Sequence, residues 1–174
     1  MPVTIGAKRE ADFSEPIQML SDCHRRIERY IGVLRKVVGR ETLGPEEREG
    51  LERALDYFRI AAPRHTADEE DSLFPRLKQV DPDAERLHAL YDDHAQARVL
   101  ELELEELGRA WLRDEKSNPG RLREVVAALD GLYERHIAVE ENDIFPRAEE
   151  LLGKSDKLLI GKEMAIRRGI ATGS

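Results

Sequence analysis

The chain has 174 residues, a length that suits one domain with a sizeable core. Charged residues make up 37% and aromatic residues only 5%, a balance that favours an amphipathic helical protein over a β-sandwich. The formal net charge of −8 argues against a general nucleic-acid-binding protein. No apolar run approaches the roughly 18 residues of a membrane span, and residues 1–11 show no secretory signal. We therefore expect neither a nucleic-acid partner nor a membrane association.

Cys23 is the single cysteine, so the chain cannot form an intramolecular disulfide. This usage fits a reducing compartment and predicts a cytoplasmic protein. We interpret Cys23 as a small buried hydrophobe rather than a metal ligand or a redox switch, because its neighbour His24 points about 100° away on a helix.

The first predicted helix opens with Ser14 as its N-cap and Pro16 in its first turn, and it ends between Gly39 and Gly44. Its core-facing residues advance by alternating steps of four and three, which is the seam of a packed helix. They are Leu20, His24, Ile27, Ile31, Leu34 and Val38.

The second predicted helix begins at Pro45, with Glu46 and Glu47 in its first turn, where the helix dipole favours acidic groups. Pro63 lies inside this helix and removes the hydrogen bond to the carbonyl of Arg59, so we expect a kink just before His65. The apolar stripe again advances by fours and threes: Leu51, Leu55, Phe58, Ala62, His65 and Glu69.

A third helix is predicted after the cap Asp81-Pro82, and a fourth after Asn118-Pro119-Gly120. The third carries Leu87, Leu90, His94, Ala97, Leu104, Leu107 and Trp111 on one face, and the fourth carries Leu122, Val126, Leu129, Tyr133, His136 and Glu140. Short connections between four long helices predict an all-α, up-down-up-down four-helix bundle over residues 14–152.

Residues 153–174 form a helical tail in this interpretation, with Ser155 as its N-cap. The tail is amphipathic and basic at its end. It either docks on the bundle, docks on a second subunit to make a homodimer, or frays.

One twelve-residue motif occurs twice, starting at His65 and at His136, and seven of its twelve positions are identical, including His, Glu-Glu and Phe-Pro-Arg. Each copy places a His and a Glu four residues apart, about 40° apart around a helix axis, so both side chains reach the same point. Glu70 and Glu141, five residues after the histidines, project about 140° away from them and are poorer candidates.

Each of the four predicted helices brings one His on its apolar stripe, whereas the fifth, His88, faces about 120° away from His94 and is expected at the surface. Two carboxylates share these stripes, and a cation is the simplest compensation for burying them. The donor set suits iron, manganese or zinc. The candidate ligands are His24, His65, Glu69, His94, His136 and Glu140.

At these residues the chain resembles the hemerythrin-like (HHE cation-binding) family. The resemblance rests on Cys23-His24-Arg25-Arg26-Ile27-Glu28, on both copies of the repeated motif, and on Asp93-His94. It implies two non-haem iron ions inside the bundle, with an oxo or hydroxo group between them. It further implies that one iron is held by His24 and His65, the other by His94 and His136, and that Glu69 and Glu140 bridge them.

Two departures from the oxygen-carrying members of that family bear on function. Those proteins have a second His one turn before the position of His94, where this chain has Leu90. They also tend to carry an Asp five residues after the histidine of the motif, where this chain has glutamates both four and five residues after it. The missing imidazole leaves more open positions, which favours peroxide, superoxide, nitric oxide or water as ligands over reversible oxygen carriage.

Three functions stay open at the level of sequence. The first is a di-iron protein that binds or senses O2, nitric oxide or iron. The second is a di-iron enzyme that acts on peroxide or nitric oxide, or an iron donor for iron–sulfur repair. The third is a structural bundle whose site holds zinc or nothing. Tyr91, one turn before His94, is expected to be a packing residue, and Glu101 a solvated or outer group.

Overall fold

A computed structural model describes residues 11–114 and 119–170, and all regular secondary structure in those ranges is helical. This confirms the all-α prediction. The helices are α1 (Pro16–Val38), α2 (Pro45–Asp68), α3 (Phe74–Val80), α4 (Leu87–Arg113), α5 (Gly120–Val139), α6 (Phe145–Leu151) and α7 (Lys154–Arg167). A π-helical segment, Glu69–Leu73, joins α2 to α3, and a second, Glu140–Ile144, joins α5 to α6. A short 3₁₀ turn, Ala84–Arg86, precedes α4.

The bundle is built from α1, α2 with α3, α4, and α5 with α6. α1 packs against α2 and α5, and α4 packs against the same two helices, so α1 and α4 are diagonal partners. Consecutive helices are therefore neighbours, as the up-down-up-down prediction requires. Among the described helices, none is both long enough and apolar enough to cross a membrane.

Two of the predicted helix starts are found at their prolines, Pro16 and Pro45. The cap of α1 is Glu15 rather than the predicted Ser14. The hydroxyl and the backbone N–H of Ser14 both donate to the carboxylate of Asp12, at 2.5 Å and 2.9 Å, so the serine side chain is already engaged.

Other predicted caps also differ from the structure. The carboxylate of Asp81 accepts the N–H of Asp83 at 2.9 Å, and α4 itself begins only at Leu87. The cap of α7 is Gly153, with extended backbone, instead of Ser155. Asn118, the predicted cap of the fourth helix, lies outside the described residues.

Pro63 does not end α2, which continues as an α-helix to Asp68. A π-helical segment starts at Glu69, four residues after His65. Insertions of this kind are frequent at functional sites. The kink expected just before His65 stays a prediction.

The hydrophobic core has two parts. The larger lies along the α1, α2, α4 and α5 stripes and includes Phe58, Leu104, Trp111 and Leu129. The smaller fills the other end of the bundle, where α3, α6 and α7 meet. The four buried histidines lie between the two parts, so the predicted site is enclosed by packed apolar side chains.

The C-terminal helix α7 docks on this chain, against α1, α2 and the first π-helical segment. The boundary predicted at residues 152 and 153 falls in the short link between α6 and α7. Gly161 of α7 meets the segment before α1 so closely that a Cβ atom built there would lie 1.8 Å from the carbonyl oxygen of Phe13. Only glycine permits this approach of a helix to the backbone.

We therefore expect Gly161→Ala to destabilise the protein by about 1–3 kcal/mol, because the added methyl group forces the Phe13 backbone away. Gly32→Ala is the matched control, since Gly32 is also inside a helix but nothing lies within 4 Å of its Cβ position. That change should stabilise the protein by up to about 1 kcal/mol. Urea denaturation of both variants measures the difference, and equal stabilities would contradict the close approach.

Candidate metal centre

The structure brings all six predicted ligand residues into one buried cluster. None of these six residues is more than 6% exposed, and Glu69 and Glu140 are fully buried. Their ligand atoms form two overlapping groups that share both glutamates. The first group adds His24 and His65, and the second adds His94 and His136. We call these the first and second halves of the site.

Each glutamate spans the two halves. One oxygen of Glu69 lies 3.3 Å from Nε2 of His65, and the other lies 3.2 Å from Nε2 of His94. Glu140 does the same with His24 at 3.0 Å and His136 at 3.2 Å. Both carboxylates are therefore placed to bridge two cations.

These close atoms are not aligned as hydrogen bonds. Nε2 of His24, His94 and His136 and all four oxygens of Glu69 and Glu140 are buried without a hydrogen-bond partner among the described residues. Leaving so many polar atoms unsatisfied would be costly. A pair of metal ions needs lone pairs that point to common positions between the side chains. Four nitrogens with two carboxylates fit iron, manganese or zinc.

The charges in the cluster are strongly interdependent. Burial lowers the pKa of His24, but the carboxylates of Glu140 and Glu141 outweigh it and raise that pKa to about 10. Burial and the charge of Glu140 raise the pKa of Glu69 to about 7. Burial opposes the ionisation of Glu140, yet His136 and His24 lower its pKa below the ordinary range.

The two π-helical segments explain why the motif extends beyond His and Glu. In each segment, the backbone N–H of the phenylalanine donates to the carbonyl of the glutamate five residues earlier. This bond places the phenylalanine ring close to the metal site. Phe145 stacks on the ring of His24 with centroids 5.1 Å apart, and Phe74 stacks on His94 at 6.0 Å. Phe145, which follows α5, thereby fixes the ring plane of His24 on α1. Phe74, which follows α2, does the same for His94 on α4.

The second glutamate of each pair has a role that the helical-face argument missed. Nδ1 of His24 donates to Glu141 at 2.7 Å, and Nδ1 of His94 donates to Glu70 at 2.8 Å. Ser21 holds the other oxygen of Glu141 at 3.0 Å. A carboxylate on Nδ1 fixes the tautomer that leaves Nε2 free to bind a metal. The occurrence of Glu-Glu in both copies of the motif was the feature of the sequence that could have indicated this role.

A third outer carboxylate, Asp93, lies 3.2 Å from Nδ1 of His136. Sequence patterns did not single it out for this purpose, because the partner histidine is on another helix. Nδ1 of His65 has no hydrogen-bond partner among the described residues.

The remaining candidates lie outside the cluster. His88 is exposed and Cys23 is buried, as predicted. Tyr91 packs edge-on against Phe74 at 5.4 Å. Glu101 is not solvated: it is 6% exposed and accepts the hydroxyl of Tyr133 at 2.6 Å.

The C-terminal helix clamps the first π-helical segment from outside. Asp68, directly before Glu69, is fully buried and accepts hydrogen bonds from Arg167 at 2.9 Å and from Arg168 at 2.6 Å. Arg167 also donates to the hydroxyl of Ser72 at 2.7 Å. The second copy has Val139 at the position of Asp68, and that residue is 44% exposed. Only the first copy of the motif is held in this way.

The fold and the cluster define a helical-bundle protein with a buried, binuclear type of cation site. Residues 15–148 match the family described as the Hemerythrin HHE cation binding domain, and the chain belongs to that family. The chain is also 29% identical over 170 residues to an uncharacterized protein from Haemophilus influenzae, in an alignment that covers 92% of this chain and 94% of that protein. The match confirms the resemblance seen in the motifs, while ligation by each of the six residues stays a prediction.

We expect Glu69→Ala to abolish binding of both metals, because Glu69 contacts both halves. Glu70→Ala should keep both metals but weaken binding by roughly 10–100-fold, since Glu70 acts through His94. Metal content per chain after desalting, together with competition against a chelator, separates the two results. Equal losses in the two variants would show that the two positions are not distinguished as inner and outer.

The clamp predicts a stability effect. Replacing both Arg167 and Arg168 with alanine leaves the buried carboxylate of Asp68 without a counter-charge, which should cost about 3–5 kcal/mol. Arg53→Ala is the control, because Arg53 pairs with Glu49 where both side chains are exposed, and it should change stability little. Thermal and chemical denaturation measure both, and an unaffected double variant would mean that Asp68 does not depend on α7.

Proposed function

We propose that this chain is a non-haem di-iron protein that binds or senses O2, nitric oxide or iron. The observation that supports this most directly is the convergence of four imidazole nitrogens and two bridging-type carboxylates without hydrogen bonds between them. Membership of the HHE family points to the same kind of centre. When bound, a pair of ferrous ions supplies the electrons and open coordination positions that these diatomic ligands require.

The protein's own residues hold and shield such a pair. Glu69 and Glu140 tie the two halves together, and the outer carboxylates on Nδ1 keep three imidazoles in the metal-binding tautomer. Phe74 and Phe145 close the end of the site against water. A dry, apolar surround favours small neutral ligands over charged ones.

A route for a small ligand reaches the second half. A groove between α2 and α4 is lined by Glu70, Tyr91, His94 and Arg98, among others. His94 is the most exposed of the four histidines, at 6%. A diatomic molecule therefore has the shortest approach at His94, on the helix where the oxygen carriers of the family have an additional histidine.

Loading the metal-free protein with Fe²⁺ in the absence of oxygen tests the proposal. We expect two iron ions per chain by elemental analysis and a spectral change when nitric oxide or O2 is added. An iron-loaded protein whose spectrum does not respond to either gas would favour the structural alternative. Repeated turnover of added hydrogen peroxide would favour the enzymatic one.

The missing histidine predicts how the reduced protein behaves in air. Leu90 is buried one turn before His94, and oxidants reach a site with fewer nitrogen donors more easily. We expect rapid oxidation of the reduced, iron-loaded protein. Leu90→His should slow it, provided that the imidazole fits the core. Stopped-flow absorption measures both rates, with Leu90→Met as the volume control. A wild type that stays reduced in air for minutes would refute the role given to Leu90.

A further inference from the structure

We infer that the two cation positions are inequivalent, and that the second half, with His94 and His136, binds its metal first and more tightly. This inference rests on the proposed two-metal function. Its origin is a single difference between the two helices that face each other diagonally, α1 and α4.

Aligning α1 with α4 on His24 and His94 gives Asp22-Cys23-His24 opposite Asp92-Asp93-His94. Leu20 and Leu90 coincide in the same alignment. The two halves of the chain thus use the same layout, with a carboxylate in one copy and a thiol in the other. Cys23 of α1 is therefore the equivalent of Asp93 of α4 in this alignment.

This exchange changes the surroundings of one histidine. In the second half, the carboxylate of Asp93 lies 3.2 Å from Nδ1 of His136. In the first half, Nδ1 of His65 is buried and has no hydrogen-bond partner among the described residues. Both imidazoles of the second half therefore have an anionic partner, whereas only His24 has one in the first half.

An outer carboxylate raises the basicity of the imidazole that it holds, and losing one typically lowers metal affinity 10–100-fold. We therefore expect the two positions to differ by about this factor. A merely structural effect of Cys23 or Asp93 would weaken both positions together, so the ratio of the two affinities reports on the outer partner specifically.

The test uses the full chain, freed of metal, and Co²⁺ as the probe, because bound Co²⁺ is followed by its absorption and the heat of binding by calorimetry. We expect two resolved steps in the wild type, with dissociation constants about 10–100-fold apart. Asp93→Asn should weaken the tighter step alone. Cys23→Asp should tighten the weaker step alone and bring the two steps close together.

Two control variants distinguish the effect of a carboxylate next to Nδ1 of the histidine from a general effect of charge or of substitution. Asp92→Asn removes the same charge next to Asp93, but from an exposed residue, and should leave both steps unchanged. Cys23→Ser changes the thiol without adding a carboxylate, and should keep the two steps apart. If Cys23→Asp does not fold, the Asp93→Asn and Asp92→Asn pair still decides the assignment.

Two equal steps in the wild type would overturn the inference, as would an Asp93→Asn variant in which both steps weaken alike. Failure of the metal-free protein to take up two Co²⁺ ions at the buried set would instead overturn the proposed function. The spacing of the two steps therefore tests the inference, and the stoichiometry of Co²⁺ binding tests the proposed function.

Discussion

Glu69 and Glu140 are carboxylates with no exposed surface, placed side by side in the middle of a bundle. Moving a carboxylate out of water costs several kcal/mol even after the protein relaxes around it. The surrounding architecture compensates for that cost: four helices each supply one imidazole at the same level, and the apolar parts of the core lie above and below. The positions of α1, α2, α4 and α5 are consequently tied to the two carboxylates.

Both copies of the repeated motif build their part of the site with the same local structure, a π-helical segment. A π-helical segment starts at each inner glutamate, and the second glutamate and the phenylalanine then reach helices of the other half. Glu141 meets His24 on α1, and Glu70 meets His94 on α4. Each motif therefore organises imidazoles that are distant from it in the chain, which binds the two halves of the molecule into one unit.

The sequence predicted the bundle and the inner cluster because both depend on local periodicity. Steps of three and four placed His65 and Glu69 on one face without any knowledge of the neighbouring helices. The outer contacts depend on which helices are adjacent and on their rotation, so Asp93 gave no local sign of its contact with His136. The π-helical segments also escaped prediction, because Glu70 was judged by regular α-helical geometry, which ends two residues earlier at Asp68.

The docking of α7 could not be predicted from hydrophobic periodicity either. The sequence left three alternatives for this segment: docking on the bundle, docking on a second subunit, or fraying. The structure resolves the choice through charge: the two arginines at the end of α7 reach a buried aspartate on α2. A basic end was visible in the sequence, but the acidic group that it needed could not be chosen among the many carboxylates of a chain with net charge −8.

The pairing of Asp68 with Arg168 joins residues 100 positions apart in the chain. Contacts of such separation require the closure of a long loop and form after local structure. During synthesis, the segment that carries Glu69 leaves the ribosome long before the arginines that cover it. Until the last helix has emerged, Asp68 can stay hydrated only if that part of α2 remains open. The first half of the site is therefore complete only after α7 has docked on α2.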